Sequence, residues 1–391
     1  MIAPSQAAPP PLPDADARAH SARVRAAVHE AIVQAGGFLT LERYLSLVLY
    51  APGLGYYVAG ARKFGRDGDF VTAPELTPLF GGALARQFEA VLAAIGGGDV
   101  VELGAGSGAL AADVLNALAA RDALPQAYRI LEVSPDLRER QRETLHARAP
   151  ALAGRVHWIE TLPPSLHGVV VMNEVLDAIP PHVVVRRAGA WLERGVAVER
   201  GELALTERPL ADARLRQLIQ ARFPPEIDYA SEVNPAAEAL VAGLARRLVH
   251  GAIVVLDYGF GRSEYYHPQR NEGTLMGHYR HRAHTDPLWW PGLSDLTAHV
   301  DFTAMAEAGE AAGLHVAGYA SQAAFLLGCG ILDLLARTGA PDGATYLRAA
   351  AAVQQLTSPA EMGELFKVLA LARDSSIDWP GFSIVNRADR L

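Results

Sequence analysis

The string VELGAGSGAL, Val101 to Leu110, has the residue types and spacing best suited to holding a ligand in this chain of 391 residues. Gly104, Gly106 and Gly108 let the backbone turn sharply and come close to a bound group. A helix starting directly after them offers unpaired N–H groups to an anion. The string fits G-x-G-x-x-A with Ala109 last, so the glycines alone leave a dinucleotide site open. Glu102 stands before the first glycine, where a carboxylate repels a pyrophosphate but assists a cationic sulfonium ligand or holds a loop. Glu132 closes the next apolar run, YRILE, where an acid accepts from ribose hydroxyls, a contact common to both ligand types. Loop, helix and second acid agree, which favours a nucleotide-type site over a purely structural turn.

A second constellation is NEVLDAIP. Asn173, Glu174 and Asp177 emerge where an apolar run stops, and Glu174 and Asp177 share a face if a helical turn begins there. Carboxylates beside a reactive methyl donor suit a cationic or hydrogen-bonding nucleophile, which they orient and deprotonate. The plainer reading is a helix N-terminus with acids in its first turn, and position at a strand end tips the balance towards function. Ser134, Pro135 and Asp136 read as cap, first helical residue and dipole partner. Asp257 and Tyr258 lie on the same rim. His278, His281 and His284 in GHYRHRAH are the densest histidine group, yet no Cys or HExxH helix accompanies them, so loop histidines are expected and no metal site. The chain has neither a G-x-S-x-G elbow nor a P-loop lysine, which removes the commonest hydrolase and NTPase readings.

The elements that must carry these residues follow from periodicity. Residues 1–20 read as a flexible tail. Residues 21–98 read as a helical and lid segment, with RVRAAVHEAIVQAG, LERYLSLVLY and LFGGALARQFEAVLAA at helical spacing. Between the last two lies APGLGYYVAGARKFGRDGDFVTAPELTP, too long and aromatic for a simple linker and therefore a candidate lid. From Asp99 short β-branched runs alternate with helices, the signature of a parallel sheet in an α/β domain. HVVVRRAGAWLERGVAVERGELALTE reads as an antiparallel meander, within an insertion at about 182–235. Helices fill a further insertion at about 322–360. The chain is expected to form a single elaborated sheet domain over 99–391.

Net charge is 35 − 43 = −8, so the whole-chain field gives no warrant for nucleic-acid binding. Only Lys63 and Lys367 are lysines, a bias that implies no function. The one cysteine, Cys329, lies in an apolar run and reads as a buried thiol, which fits a reducing, cytoplasmic compartment. No apolar stretch reaches the ~18 residues of a membrane span. The first residues lack the apolar core of a secretory signal.

Taken together, GYYVAGARKFGRDGDFVTAPELTPLFG, VELGAGSG, YRILEVSPDLRERQ, MNEVLDAIP, LDYG, GTLMGH and SDLTAHVDF resemble the MidA-like S-adenosylmethionine-dependent methyltransferases, over roughly Leu41 to Phe382. These are bacterial proteins and mitochondrial respiratory complex I assembly factors. The resemblance implies a Rossmann-like class I methyltransferase sheet with an N-terminal helical cap, a meander and helical insertions. It implies S-adenosylmethionine as cofactor and, from the mitochondrial branch, arginine methylation of a partner protein. It also makes Glu102, Gly104, Ala105, Gly106, Gly108, Glu132 and Val133 cofactor contacts, with Thr72, Pro74 and Glu75 of TAPE closing over them. Glu174 becomes the first choice for fixing the acceptor and taking its proton, with Asn173 and Asp177 orienting. Tyr56, Tyr57, Phe64 and Phe70 wall the pocket or pack the lid. Where the mitochondrial pattern has NEFFDALP, Val175 and Leu176 replace the aromatics. A cofactor-binding assembly chaperone without turnover and an NAD(P) oxidoreductase are the alternatives from other classes.

Overall fold

The computed structural model describes residues 10–58, 72–224 and 227–391. Contact density divides the chain into two units, each assembled from three stretches: Met1–Val71, Asp177–Ala237 and Arg262–His299 in one, Thr72–Leu176, Glu238–Gly261 and Val300–Leu391 in the other.

The second unit is built on seven strands: β1 (Asp99–Leu103), β2 (Tyr128–Leu131), β3 (Val156–Ile159), β4 (Leu166–Asn173), β5 (Leu248–Phe260), β6 (His315–Ser321) and β7 (Phe366–Ala372). Their order is β6-β7-β5-β4-β1-β2-β3, and β7 runs antiparallel to both of its neighbours while the others are parallel. The short pair Val300–Asp301 adds to the end of β5. A parallel sheet is covered on both faces, so its central strands read as unbroken apolar runs. Val169–Met172 and Ile253–Leu256 accordingly lie at 0–1 % exposure. Helices Pro78–Ala94 and Ala109–Ala119 supply Phe80, Leu84, Phe88, Val114 and Leu115 to the same core. Strand order reverses between β1 and β4, which neighbour each other with Leu103 opposite Met172. A crevice opens at such a reversal beyond the carboxyl ends of the strands, because the connecting helices leave it in opposite directions. The fold is therefore the expected class I arrangement.

The first unit begins with helix Ala15–Gln34, which starts ahead of Ser21 because Asp14 caps it, its carboxylate accepting from Ala17 N at 2.9 Å. Residues 15–20 are thus helical, where the sequence pattern suggested a tail. The expected meander is present as His182–Arg187, Ala190–Glu199 and Glu202–Pro209, all antiparallel, and Leu39–Thr40 and Tyr229–Val233 extend it. A three-stranded sheet joins Met276–Tyr279 to Arg282–His284 and Asp295–Thr297. Glu232, 2 % exposed, links the two sheets through GTLMGH: its carboxylate accepts from Thr274 N (2.8 Å), Leu275 N (3.0 Å) and Thr274 Oγ1 (3.1 Å). Tyr56 is buried in this unit's core with Leu45 and Val48. Tyr57 donates to Asp295 at 2.5 Å. Both tyrosines therefore pack the unit that carries them, while Phe64 and Phe70 lie outside the described residues.

Candidate active site

The glycine loop leaves β1 at Gly104 and enters helix Ala109–Ala119 at Gly108. Gly104, Gly106 and Gly108 have φ of 66°, 52° and 83°, the left-handed region that side chains other than glycine rarely adopt. Gly104 and Gly108 are also confined. A Cβ on Gly104 would stand 2.9 Å from Val175 Cγ2, and one on Gly108 would stand 3.1 Å from Gln141 Cα. Around Gly106 nothing lies within 4 Å of that position, so the middle of the loop faces open space in which a ligand can approach the backbone. Gly108 caps the helix without a side chain of its own, and Ser107 Oγ accepts from Ala109 N at 3.4 Å. Ala105 is 7 % exposed, and its carbonyl accepts from Gly108 N at 2.8 Å, closing the loop on itself.

Glu132 ends β2 beside this loop. Its Oε1 accepts from Ser134 N at 2.9 Å and its Oε2 from Gln141 Nε2 at 3.1 Å, and it is 8 % exposed. A carboxylate has about four lone-pair directions, so two protein donors leave room for two hydroxyls. Val133, next in the chain, is 70 % exposed, an apolar side chain presented at the rim of an otherwise buried strand end. Thr72 precedes the short helix Ala73–Leu76, in which Ala73 and Pro74 are buried. Glu75 accepts a hydrogen bond from Ser107 Oγ inside the glycine loop, which joins TAPE to that loop.

Glu102 departs from a ligand-facing role. It is 2 % exposed and accepts from Tyr128 OH at 2.6 Å, between neighbouring strands β1 and β2. Burial pushes its carboxyl up to about 7, against the lowering effect of the Tyr128 hydroxyl. This contact joins β1 to β2 two residues before the glycine loop begins.

The acidic turn after β4 is not helical. Glu174 has φ of 53°, outside the right-handed helical region, and its N–H donates to Leu256 O at 2.9 Å on β5. Leu176 N then donates to Asp257 Oδ2 at 3.0 Å, and Tyr258 N to Asp257 Oδ1 at 2.9 Å. The positive φ at Glu174 breaks the expected helical turn, and β5 takes the N–H groups of Glu174 and Leu176. Asn173 Nδ2 donates to Glu174 Oε1 at 3.2 Å, so this amide and carboxylate act as a pair. Asp177 begins a stretch of the other unit, where it is 5 % exposed and its carbonyl accepts from Ala298 N at 3.1 Å.

Several supporting residues escaped sequence reasoning. Fully buried Gln141 stands in PDLRERQRETLHAR among charged residues, and its only signal is the Gln141–Leu145 spacing that marks the inward face. Asp113 is 7 % exposed, and burial pushes its carboxyl up to about 6 despite Arg148 at 3.7 Å. Arg148 also stands 3.9 Å from Glu75. Asp113 and Arg148 reach the glycine loop through Glu75 and Ser107, yet nothing local to either announces it.

Residues 83–320 match the family model described as "Putative S-adenosyl-L-methionine-dependent methyltransferase". Protein arginine methyltransferase NDUFAF7, mitochondrial, of Mus musculus is 29 % identical over 87 % of this chain and 82 % of its own. The Drosophila melanogaster homologue is 28 % identical over 94 % and 89 %. A crystal structure of a Burkholderia thailandensis protein bound to S-adenosyl-homocysteine is 48 % identical, with a TM-score of 0.94 over 98 % of this chain and all of that one. The dinucleotide oxidoreductase and the assembly role without turnover find no support among these relatives. No helix among the described residues is long and apolar enough to cross a membrane.

Proposed function

The chain belongs to the family of S-adenosyl-L-methionine-dependent methyltransferases, and on that premise we propose that it methylates an arginine side chain of a partner protein in the cytoplasm, with the donor in the crevice between β1 and β4. One observation carries the assignment of the site: Gly104 of the donor loop and Val175 of the acidic turn approach so closely that a Cβ would not fit between them. The donor loop and the turn that carries Asn173 and Glu174 are therefore neighbours within one unit. The protein arginine methyltransferases among the relatives support the choice of acceptor.

Gly104, Ala105, Gly106 and Gly108 would hold the donor through backbone contacts, with Glu132 on its ribose hydroxyls and Val133 against its base. Thr72, Pro74 and Glu75 would close the loop from outside, Glu75 through Ser107. S-adenosylmethionine supplies a methyl group already activated on a positive sulfur, so the protein's task is alignment and exclusion of water. A guanidinium is protonated at neutral pH and a poor nucleophile. Glu174 would pair with it, fix one nitrogen in line with the methyl group and accept the proton released as the N–C bond forms and the S–C bond breaks, S-adenosyl-homocysteine leaving as the neutral thioether. Asn173 holds Glu174 in place, and Asp257 holds the turn that carries both.

Mass spectrometry of the proteome from cells with and without the gene tests this reading. A methylarginine peptide lost in the deletion and restored by the wild type, but not by Glu174→Gln, is expected. A methylarginine profile indifferent to the gene would refute the choice of acceptor.

A further inference from the structure

Gln141 is fully buried, and both N–H bonds of its amide are committed to the donor site. Nε2 donates to the carbonyl of Gly106 at 3.1 Å and to Glu132 Oε2 at 3.1 Å, while Oε1 accepts from Trp158 Nε1 at 2.7 Å. The two recipients lie beyond different strands, Gly106 in the loop after β1 and Glu132 at the end of β2. One planar amide therefore fixes the distance between them. Packing adds to this, because Gly108 lies directly on the Gln141 backbone. The orientation of the amide follows from chemistry. The indole N–H of Trp158 can only donate, so the carbonyl end of Gln141 must face β3 and its NH2 end must face the loop and Glu132. With the amide reversed, two donors would meet at Trp158, and an oxygen would meet a carboxylate and a carbonyl.

We propose that Gln141 is a positioning residue that couples the glycine loop to Glu132, so that a ligand must engage both to bind tightly, and that Trp158 acts through it by setting the amide's orientation. This rests on the reading that Glu132 takes the donor's ribose. Such a ligand carries a ribose diol and an anionic or polar tail a fixed distance apart, as S-adenosyl-homocysteine does.

Calorimetric titration with S-adenosyl-homocysteine tests the proposal without any acceptor. Gln141→Leu removes both donations and should weaken Kd at least tenfold. Trp158→Phe leaves the amide free to reverse and should weaken it severalfold. Gln141→Glu sets a carboxylate against Glu132. At pH 8 it should bind far more weakly than the wild type, and it should recover as the pH falls to 5.5, because one proton shared between two carboxyls restores an O–H donor. The neighbouring charges are Arg138, bonded to the Glu132 carbonyl and 3.3 Å from Glu160, and Arg142, stacked on Trp158. Glu160 is solvent-exposed. A purely structural Gln141 would show its pH-dependent recovery in unfolding stability, with the Kd of the folded variant unchanged across the same range. Should Gln141→Leu fail to fold, the pH series of Gln141→Glu and the Trp158→Phe titration decide. A Kd for Trp158→Phe within threefold of the wild type, or a Gln141→Glu affinity that does not vary with pH, overturns the coupling. Glu132→Gln separates the two failures. If it weakens binding while the Gln141 and Trp158 variants do not, the coupling alone is wrong; if it binds as the wild type does, the ribose reading falls and takes the coupling with it.

Discussion

Glu102 gives the site a pH signature that can be read in stability. Its carboxyl rises from 4.5 to about 7 because burial penalises the charged form. Between those values the folded chain holds a proton that the unfolded chain has released, so unfolding free energy falls as pH rises. Stability from this group is complete below about pH 4.5 and lost by the time pH has passed 7. A shift of about 2.5 units corresponds to about 3 kcal/mol. Asp113, raised from 3.8 to about 6 by burial, adds a fall of the same sign, so the wild-type curve alone does not isolate Glu102. Glu102→Gln removes the titration but keeps an oxygen that can accept from Tyr128. Urea unfolding from pH 4 to 8.5 should show the variant gaining about 3 kcal/mol relative to the wild type, most of it between pH 4.5 and 7. Tyr128→Phe removes the hydroxyl that lowers this carboxyl, and should move the midpoint of the gain to higher pH. Wild-type and Glu102→Gln curves that run parallel across the range would refute the assignment of Glu102 as a buried, strand-joining acid.

Other expectations follow from single contacts. Gly106→Val places a branched side chain at φ of 52° in open space. It should fold with a loss of roughly 1–2 kcal/mol and show no heat of S-adenosyl-homocysteine binding; normal binding would remove the loop from the site. Asp257→Ala strips the acceptor from Leu176 N, with a stability cost of about 1–3 kcal/mol for the orphaned donor. It should lower the turnover of tritiated-methyl incorporation into lysate protein while leaving S-adenosyl-homocysteine Kd unchanged; the reverse pattern would place Asp257 on the donor side. Burial pushes the Cys329 thiol up to about 12, so a chromogenic disulfide reagent at pH 8 should fail to label the native protein and should label it at once in denaturant. Rapid native labelling would contradict its burial.

The sheet was legible because both-face burial writes itself as local apolar runs: VELGAG, YRILE, VVVMNE and IVVLDYG each end within three residues of a strand's end. Its seven strands and their helices follow from periodicity alone. The turn at Gly104, Gly106 and Gly108 was legible for a similar reason, since three closely spaced glycines stand between a strand pattern and a helix pattern, and all three have positive φ. What stayed hidden depends on contacts distant in sequence. Leu39–Thr40 pairs with Gly195–Val196, and two residues carry no strand signal of their own. Glu174 looked like the start of a helix because its local sequence permits one. The competing acceptors are the carbonyl of Leu256 and the carboxylate of Asp257, which lies 81 residues along the chain from Leu176, and no local pattern announces them. Glu102 read as a ligand-side acid because alternation along a five-residue strand does not reveal that Tyr128 waits on the next one. Gln141 is the clearest omission, for its function lies entirely in three partners that no pattern within its own helix could display.

The donor site is tested most directly by a crystal structure of the protein grown with S-adenosyl-homocysteine. The ligand is expected against the backbone of Gly104 to Gly108, with its ribose hydroxyls on Glu132 and its sulfur turned towards the Asn173–Glu174 pair. Density for the ligand at any other place in the sheet, or a ribose that does not touch Glu132, would contradict the site described above.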